Sequence, residues 1–114
     1  MAFNSLRQRE PRYLNRRLLD LAHGIDTCMN CGTFCGGCEP AHEDTLEGGK
    51  AGGQKAHDNR HAALCHDCHV WYDSVRAGRD PSGVYLPHQR QEMWDRAHRR
   101  TFDVYWRRGQ LKVA

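Results

Sequence analysis

The first apolar pattern along the chain lies near the N-terminus and has helical spacing. Pro11 precedes apolar positions that recur every three or four residues, and Gly24 stands where a helix C-cap is expected. These apolar positions are Tyr13, Leu14, Leu18, Leu19, Leu21 and Ala22. The pattern predicts an amphipathic helix over residues 12–23.

Short, turn-rich segments follow this helix. The CMNCG motif at residues 28–32 is typical of a zinc knuckle, in which the glycine lets backbone amides turn toward the sulfurs. Residues 33–44 contain several turn formers and end shortly after an Ala-His pair. They predict a β-hairpin with Pro40 at an edge position.

Helical patterns return in the second half of the chain. The segment 48–55 is rich in glycine and favours a loop, and an apolar run then leads to Cys65 and a helix that continues through Val75. After a turn at residues 80–83, a last helix is predicted to end near Gly109. Its large side chains are interpreted as core anchors, namely Trp94, Phe102, Tyr105 and Trp106.

The composition allows one small domain. The chain has 114 residues, of which 39% are apolar. We expect an α+β fold in a single domain, residues 1–114, with a thin core over about residues 12–113 and a flexible segment 1–11. A domain with so little apolar surface usually needs a metal or covalent staple, which its six cysteines and eight histidines could supply.

The chain shows no secretory signal and no apolar run long enough to cross a bilayer. We therefore expect a cytoplasmic protein without a membrane partner, whose thiols stay reduced. In such a protein a Cys-x-x-Cys pair indicates either metal ligands or a redox group. Metal binding is favoured here because three such pairs in one short chain exceed what a redox motif needs.

The charge pattern adds a weaker indication. The formal net charge is +3, with 17 basic against 14 acidic residues. Most of the basic residues are arginines, grouped at residues 7–17 and 90–108, and arginine is suited to bidentate phosphate contacts. For each arginine, a solvated helix face is an equally good interpretation.

Two of the three Cys-x-x-Cys pairs give the strongest chemical signal. Four thiolates satisfy a tetrahedral zinc ion and leave no open position, so the predicted site is structural. The predicted ligands are Cys28, Cys31, Cys65 and Cys68. The same ion cannot also bind the third pair, Cys35 and Cys38, although one of these could replace a predicted ligand.

Three polar residues stand around these cysteines in an order that a known family shares. His42 lies eleven residues after Cys31, Asn59 precedes an Ala-Ala-Leu-Cys run, and His69 directly follows Cys68. This combination resembles the HNH (ββα-metal) endonucleases, and within them the YbcO-like group of phage and prophage nucleases. The resemblance covers about residues 12–113, with further matches at residues 17–24, at the glycine and lysine loop, and at the acidic positions 58 and 73.

The resemblance implies a metal-dependent DNA endonuclease acting in a bacterial host cell, with DNA as partner and structural Zn²⁺. In HNH nucleases a histidine at the His42 position takes a proton from water, while a histidine at the His69 position holds catalytic Mg²⁺ or Mn²⁺. Asn59 is the candidate that orients the base or helps to hold the cation. Asp58 competes for this role and for cation binding, because Asn59 lies one residue further from Cys65 than is common.

One position departs from the family pattern. Many HNH enzymes carry Asp or His directly before the base, where it binds the catalytic cation, whereas this chain has Ala41. Either a nearby carboxylate reaches the cation, or the cation site is weak and the domain binds DNA with little activity. The candidate carboxylates are Glu39, Glu43, Asp44 and Asp58. Asp73, one helical turn after His69, is interpreted as a partner that fixes the imidazole tautomer or as an ordinary helix carboxylate.

Two rival classes remain. Residues 65–69 also match the haem attachment motif of c-type cytochromes, with Met93 as an axial ligand, but the missing export signal and the four other cysteines argue against haem. The stronger rival is a non-catalytic zinc-stapled module that binds DNA or a protein partner. His42, Asn59 and His69 favour the enzyme because they would serve no purpose in a bare zinc ribbon. The oligomeric state stays open.

Overall fold

The computed structural model describes residues 13–43, 57–76 and 87–111. Its elements in chain order are helix α1 (Arg16–Asp20), a 3₁₀ helix (Leu21–Gly24), strand β1 (Glu39–His42), strand β2 (His61–Leu64), helix α2 (His66–Arg76) and helix α3 (Pro87–Arg107). The two strands form one sheet. The small α+β architecture expected from the sequence is confirmed. The predicted flexible segment 1–11 and the loop 48–55 lie outside the described residues.

Helix α1 is shorter than the apolar pattern suggests. Asn15 has an extended backbone and caps the helix, because its side chain accepts a hydrogen bond from the Leu18 amide at 3.1 Å. The helix therefore begins at Arg16, and its last turn tightens into the 3₁₀ helix that ends at Gly24. Tyr13 and Leu14, which the pattern placed in the helix, precede it and are exposed.

The sheet is antiparallel and pairs segments that are distant in sequence. Glu39 lies opposite Leu64, and His42 lies opposite His61. The predicted hairpin within residues 33–44 is therefore wrong, since Phe34 makes only an isolated bridge to Thr27. The partner of β1 is the fully buried strand β2, which gains more from pairing inside the core than an exposed turn segment would.

Pro40 fits inside β1 because of the pairing register. Its partner is Ala63, whose own backbone groups point away from β1. The Ala63 N–H donates to the Thr101 hydroxyl at 2.9 Å, and the Ala63 carbonyl accepts from the Met29 N–H at 3.0 Å. No ladder hydrogen bond is lost at this pair, so proline is tolerated there.

The two faces of the sheet support two parts of the core. One face, here called the α2 face, carries Ala41, Ala62 and Leu64, which pack with Tyr72 and Trp94. The other face, here called the α1 face, places Ala63 in a cluster that also contains Leu18, Ala22, Ile25, Cys38 and Tyr105. Because side chains alternate along a strand, Glu39 shares the α2 face with Ala41, and His42 lies on the α1 face.

Helix α3 ties both clusters together. Trp94 donates its indole N–H to the Ala41 carbonyl at 2.9 Å, and the Tyr105 hydroxyl lies 2.9 Å from His61 Nε2. Gly109, with φ of 69°, ends the helix region, and the next amide bonds back to the Tyr105 carbonyl at 2.9 Å. The positions of α2 and α3 agree with the sequence prediction.

The predicted core anchors divide by their position around α3. Trp94 and Tyr105 are buried, and Phe102 is partly buried. Trp106 is 56% exposed, so its interpretation as a core anchor is wrong. It follows Tyr105 by one position, and a one-residue step turns a side chain about 100° around the helix, away from the sheet. None of the described helices combines the length and apolar composition that a membrane span requires.

Candidate functional site

The first half of the cysteine cluster is a tight turn. The amides of Asn30 and Cys31 both point at the Cys28 sulfur, at 3.4 Å each. Gly32, with φ of 78°, closes the turn by donating its N–H to the Cys28 carbonyl at 3.0 Å. This arrangement has the turn geometry expected of a zinc knuckle, and its amides stabilise negative charge on sulfur.

The second half lies where β2 meets α2. Cys65 follows the last residue of β2, and Cys68 lies in the first turn of α2, where the His69 amide bonds to the Cys65 carbonyl at 3.0 Å. The Asn30 side-chain amide donates to the Cys68 sulfur at 3.4 Å and so links the two halves. The cluster therefore joins the chain before β1 to the start of α2.

The four predicted cysteines are brought together, and they could hold a metal ion such as zinc. Their sulfurs all lie within 4.8 Å of one another. The Cys31 and Cys65 sulfurs are 3.8 Å apart, which is the edge of a tetrahedron with Zn–S bonds of about 2.3 Å. The donor set, four thiols and no other group, also suits zinc.

The thiols of the cluster differ in acidity. Hydrogen bonding by Thr33, above all, lowers the pKa of Cys31 to about 6. Burial raises the pKa of Cys65 and Cys68 above that of a free thiol. A bound cation would therefore be needed to keep all four sulfurs as thiolates at neutral pH.

Cys35 and Cys38 form a separate pair. Their sulfurs lie 2.8 Å apart, and neither residue belongs to the four-cysteine cluster. Cys38 is buried among the residues of the α1 face, whereas Cys35 is partly exposed. The structure therefore does not support the alternative in which Cys35 or Cys38 replaces one of the four predicted zinc ligands.

His42 lies at the end of β1 against a buried carboxylate. Its Nε2 is 3.0 Å from Asp58 Oδ1, and the side chains of His42 and Asp58 are 22% and 4% exposed. The backbone N–H of Asn15 donates to Asp58 Oδ2 at 2.7 Å. His61 Nδ1 lies 2.7 Å from the backbone carbonyl oxygen of Asp58. Asp58 is therefore held on three sides and fixes the His42 ring in turn.

Asn59 is not part of this arrangement. It is exposed and lines a groove of about 550 Å³ together with Tyr13 and Phe102. Within the described residues its side chain makes no hydrogen bond. Of the two residues that competed to orient His42, the structure places Asp58 at the imidazole.

His69 has carboxylates on both ring nitrogens. Its Nδ1 is 2.9 Å from Glu39 Oε1, and its Nε2 is 3.5 Å from Asp73 Oδ2. The second Glu39 oxygen lies 3.0 Å from Nδ1 of the exposed His66. The hydrogen bond with His69, above all, lowers the pKa of Glu39. Asp73 thus lies beside His69 at an ion-pair distance.

The candidate carboxylates are distributed over different partners. Glu43 is buried and paired with Arg60, whose Nε lies 2.8 Å from Glu43 Oε1. Asp44 falls outside the described residues. Asp58 contacts His42. Among the described candidates, Glu39 is the carboxylate that contacts His69. Strand alternation places Glu39 on the same face as Ala41, the α2 face.

The two histidines approach the sheet from different sides. His42 lies on the α1 face, whereas His69 contacts Glu39 on the α2 face. Glu39 and His42 are about 10 Å apart along the strand, at roughly 3.3 Å per residue. Ala41 lies between them, fully buried, with its carbonyl bound to Trp94. Among the described residues, no side chain bridges the two histidines.

Comparisons of the chain with models of known protein families, with curated proteins and with solved structures found no match.

Proposed function

We propose that this protein is a metal-dependent DNA endonuclease that hydrolyses phosphodiester bonds by the HNH mechanism, with His42 as general base. The proposal includes a structural zinc ion at the four-cysteine cluster, which would be the staple for a small core. The resemblance to phage and prophage nucleases suggests a role in DNA processing or recombination.

The pairing of His42 with Asp58 is the observation that carries the proposal. A carboxylate accepts hydrogen bonds, so Asp58 favours the tautomer in which Nε2 bears the proton and Nδ1 keeps its lone pair. Such an imidazole can take a proton from water, and the buried carboxylate stabilises the imidazolium that results. A histidine held in this way and still partly exposed is suited to base catalysis.

The zinc proposal explains how the base is positioned. The knuckle precedes β1 and the second cysteine pair follows β2, so one ion would hold the two antiparallel strands together at the Glu39–Leu64 end of the sheet, opposite the end that carries His42. In a domain with a thin core, the binding free energy of that ion contributes directly to folding. The staple is thus expected to support the site without touching it.

The catalytic cation, Mg²⁺ or Mn²⁺, would be held by His69 and Glu39. Their ligand atoms are 2.9 Å apart, one imidazole nitrogen and one carboxylate oxygen, with Asp73 beside them. A small hard cation usually keeps several waters and takes few protein ligands, and Glu39 would supply the carboxylate oxygen that it prefers. When bound, such a cation supplies positive charge to the phosphate and the leaving oxygen.

Exposed arginines are the proposed contacts to DNA phosphates. Arg17 lies on α1, near the Asn15 amide that holds Asp58, and Arg96 and Arg99 lie on α3. Phosphate contacts of this kind position a duplex without reading its sequence.

A supercoiled-plasmid nicking assay tests the proposed function. The zinc-loaded protein is assayed in Mg²⁺, in Mn²⁺ and in EDTA, beside His42→Ala and the control His23→Ala, which removes an exposed imidazole. Cation-dependent nicking that His42→Ala abolishes and His23→Ala retains is expected. Nicking by a folded, zinc-loaded His42→Ala at the wild-type rate would contradict the assignment of the base.

A non-catalytic zinc-stapled module is the second candidate, and two observations favour it. Ala41, at the position where many HNH enzymes bind their cation, is fully buried under Trp94, and His42 and His69 lie on different faces of the sheet. Equal DNA binding by wild type and His42→Ala, with no nicking in any cation, would establish this function instead.

A further inference from the structure

The Cys35-Gly36-Gly37-Cys38 turn is a cysteine motif that the proposed zinc site does not use. It connects the knuckle to β1 and lies directly before Glu39. The four cysteines whose sulfurs lie together do not include either member of this pair. The two thiols of this turn are therefore not required as ligands of the proposed zinc ion.

The backbone of this turn is fixed by contacts with the chain after α1. The amides of Cys35 and Gly36 both donate to the Asp26 carbonyl, at 2.7 and 3.2 Å, and the Cys38 amide donates to the Ile25 carbonyl at 2.9 Å. Gly36 and Gly37 have φ of 67° and 140°, which other residues rarely adopt. A Cβ on Gly37 would also approach the His23 carbonyl oxygen to 3.2 Å. The turn thus holds its two ends in one arrangement.

This arrangement places the two thiols in contact and makes them unequal. The sulfurs lie 2.8 Å apart. Cys35 is partly exposed, whereas Cys38 is fully buried beside Ala63 and Tyr105. A reagent in solution can therefore reach Cys35 first, and the neighbouring buried thiol is already in position to react with the product.

We propose that Cys35 and Cys38 form a reversible intramolecular disulfide, a redox-modification site independent of the four-cysteine cluster. The oxidant is a small disulfide, such as oxidised glutathione. The Cys35 thiolate attacks one sulfur of the reagent, forms a mixed disulfide and releases the first small thiol. Cys38 then attacks the Cys35 sulfur and releases the second, so that two protein thiols are oxidised, one reagent disulfide is reduced to two thiols, and both protons pass to them.

The contrast with the cluster gives the site its selectivity. Thiolates that share a zinc ion would be neutralised by it, whereas the Cys35 and Cys38 sulfurs contact each other and, among the described residues, belong to no metal-binding cluster. Closing the disulfide would stiffen the link between the knuckle and β1, and with it the strand that carries Glu39 and His42. The inference does not depend on nuclease activity.

The test equilibrates the zinc-loaded protein with buffers of increasing oxidised to reduced glutathione ratio. Free thiols are then blocked and the intact mass is measured. A species with one disulfide and its full zinc content is expected, and reduced glutathione should reverse it. Chymotrypsin cuts after Phe34 and so separates Cys28 and Cys31 from the pair, which lets peptide mapping locate the bond.

Two variants keep the result interpretable. Cys35→Ser changes only the partly exposed member and should abolish disulfide formation while leaving zinc content unchanged. Cys31→Ser should remove zinc instead. The proposal is overturned if the zinc-loaded wild type forms no disulfide across the series, if the bond maps to other cysteines, or if zinc is lost in step with oxidation.

Discussion

The imidazole of His42 and the carboxylate of Asp58 are joined by a 3.0 Å hydrogen bond, although sixteen positions separate them in sequence. Asp58 is itself fixed by the Asn15 amide at 2.7 Å. The pair therefore connects the end of β1, the start of β2 and the N-cap of α1. Its orientation is set by the fold before any substrate arrives.

Asp58→Asn is expected to lower the nicking rate by about 100-fold or more. An amide can donate to Nε2, which would leave the proton on Nδ1, the nitrogen that the proposed base needs free. Initial nicking rates and zinc content are measured together, and Asp20→Asn, an exposed carboxylate on α1, is the control. A rate within about twofold of wild type would argue against an orienting role for Asp58.

Cys31→Ser and Cys35→Ser should behave oppositely toward metal. Cys31 belongs to the cluster, so its loss is expected to reduce bound zinc from about one ion per chain to nearly none and to abolish cooperative unfolding. Cys35 lies outside the cluster, and Cys35→Ser should keep its zinc. Zinc is quantified by elemental analysis and folding by thermal melts. Equal zinc loss in both variants would refute the assignment of the four ligands.

Folding stability should fall in mild acid because of His61. Burial, above all, lowers the pKa of His61 to about 4, from 6.5 in the unfolded chain, against a weaker opposing contribution from the Asp58 carbonyl. The unfolded state thus binds more protons between about pH 4 and 6.5. Stability is fully present above pH 6.5 and declines by up to about 3 kcal/mol as the pH falls toward 4.

Urea titrations across this range check the effect, with His61→Gln as the comparison. The variant lacks the titrating ring but keeps all four cysteines, so any acid-driven release of metal is common to both proteins. The slope of unfolding free energy against pH should be smaller for the variant. Identical slopes would show that another group controls the acid sensitivity.

Thr101 is expected to matter for stability through its hydroxyl. The side chain accepts from the Ala63 amide at 2.9 Å and donates to the Ala97 carbonyl at 2.7 Å, and it is fully buried. Thr101→Val keeps the shape but leaves the Ala63 N–H without a partner, at a cost of about 1–3 kcal/mol. Thr101→Ser retains the hydroxyl and should cost less. The two unfolding free energies are compared directly, and the reverse order would contradict this explanation.

The helices could be predicted from the sequence, but the strand pairing could not. In α3, Trp94, Ala97, Thr101 and Tyr105 are all buried on one face, and that spacing is visible in the sequence. The strands have four residues each, too few for a clear alternation, and their partners are distant along the chain. Residues 33–44 contain the turn formers of a hairpin, but the buried β2 strand competes more strongly for β1.

Some parts of the candidate site could be predicted from the sequence, and others could not. The sequence favoured the four clustered cysteines because a Cys-x-x-Cys-Gly knuckle and a Cys-x-x-Cys pair at a helix start are the usual halves of a four-cysteine zinc site, although spacing alone did not exclude Cys35 and Cys38. The contact between Glu39 and His69 depends on the register of β1 and on the rotation of α2, which no local pattern contains. The choice between Asp58 and Asn59 beside His42 likewise depends on which of two neighbours the fold turns inward.

Chemical rescue of His42→Ala tests the central claim most directly. The zinc-loaded variant is incubated with supercoiled plasmid and Mn²⁺ while free imidazole is added, and wild type at the same imidazole concentrations controls for metal chelation. If His42 is the general base, nicking by the variant should start near background and rise with imidazole concentration. Nicking by the variant at the wild-type rate without imidazole would contradict that role. The role would also be contradicted if wild type nicks the plasmid but imidazole at no concentration restores nicking by the variant.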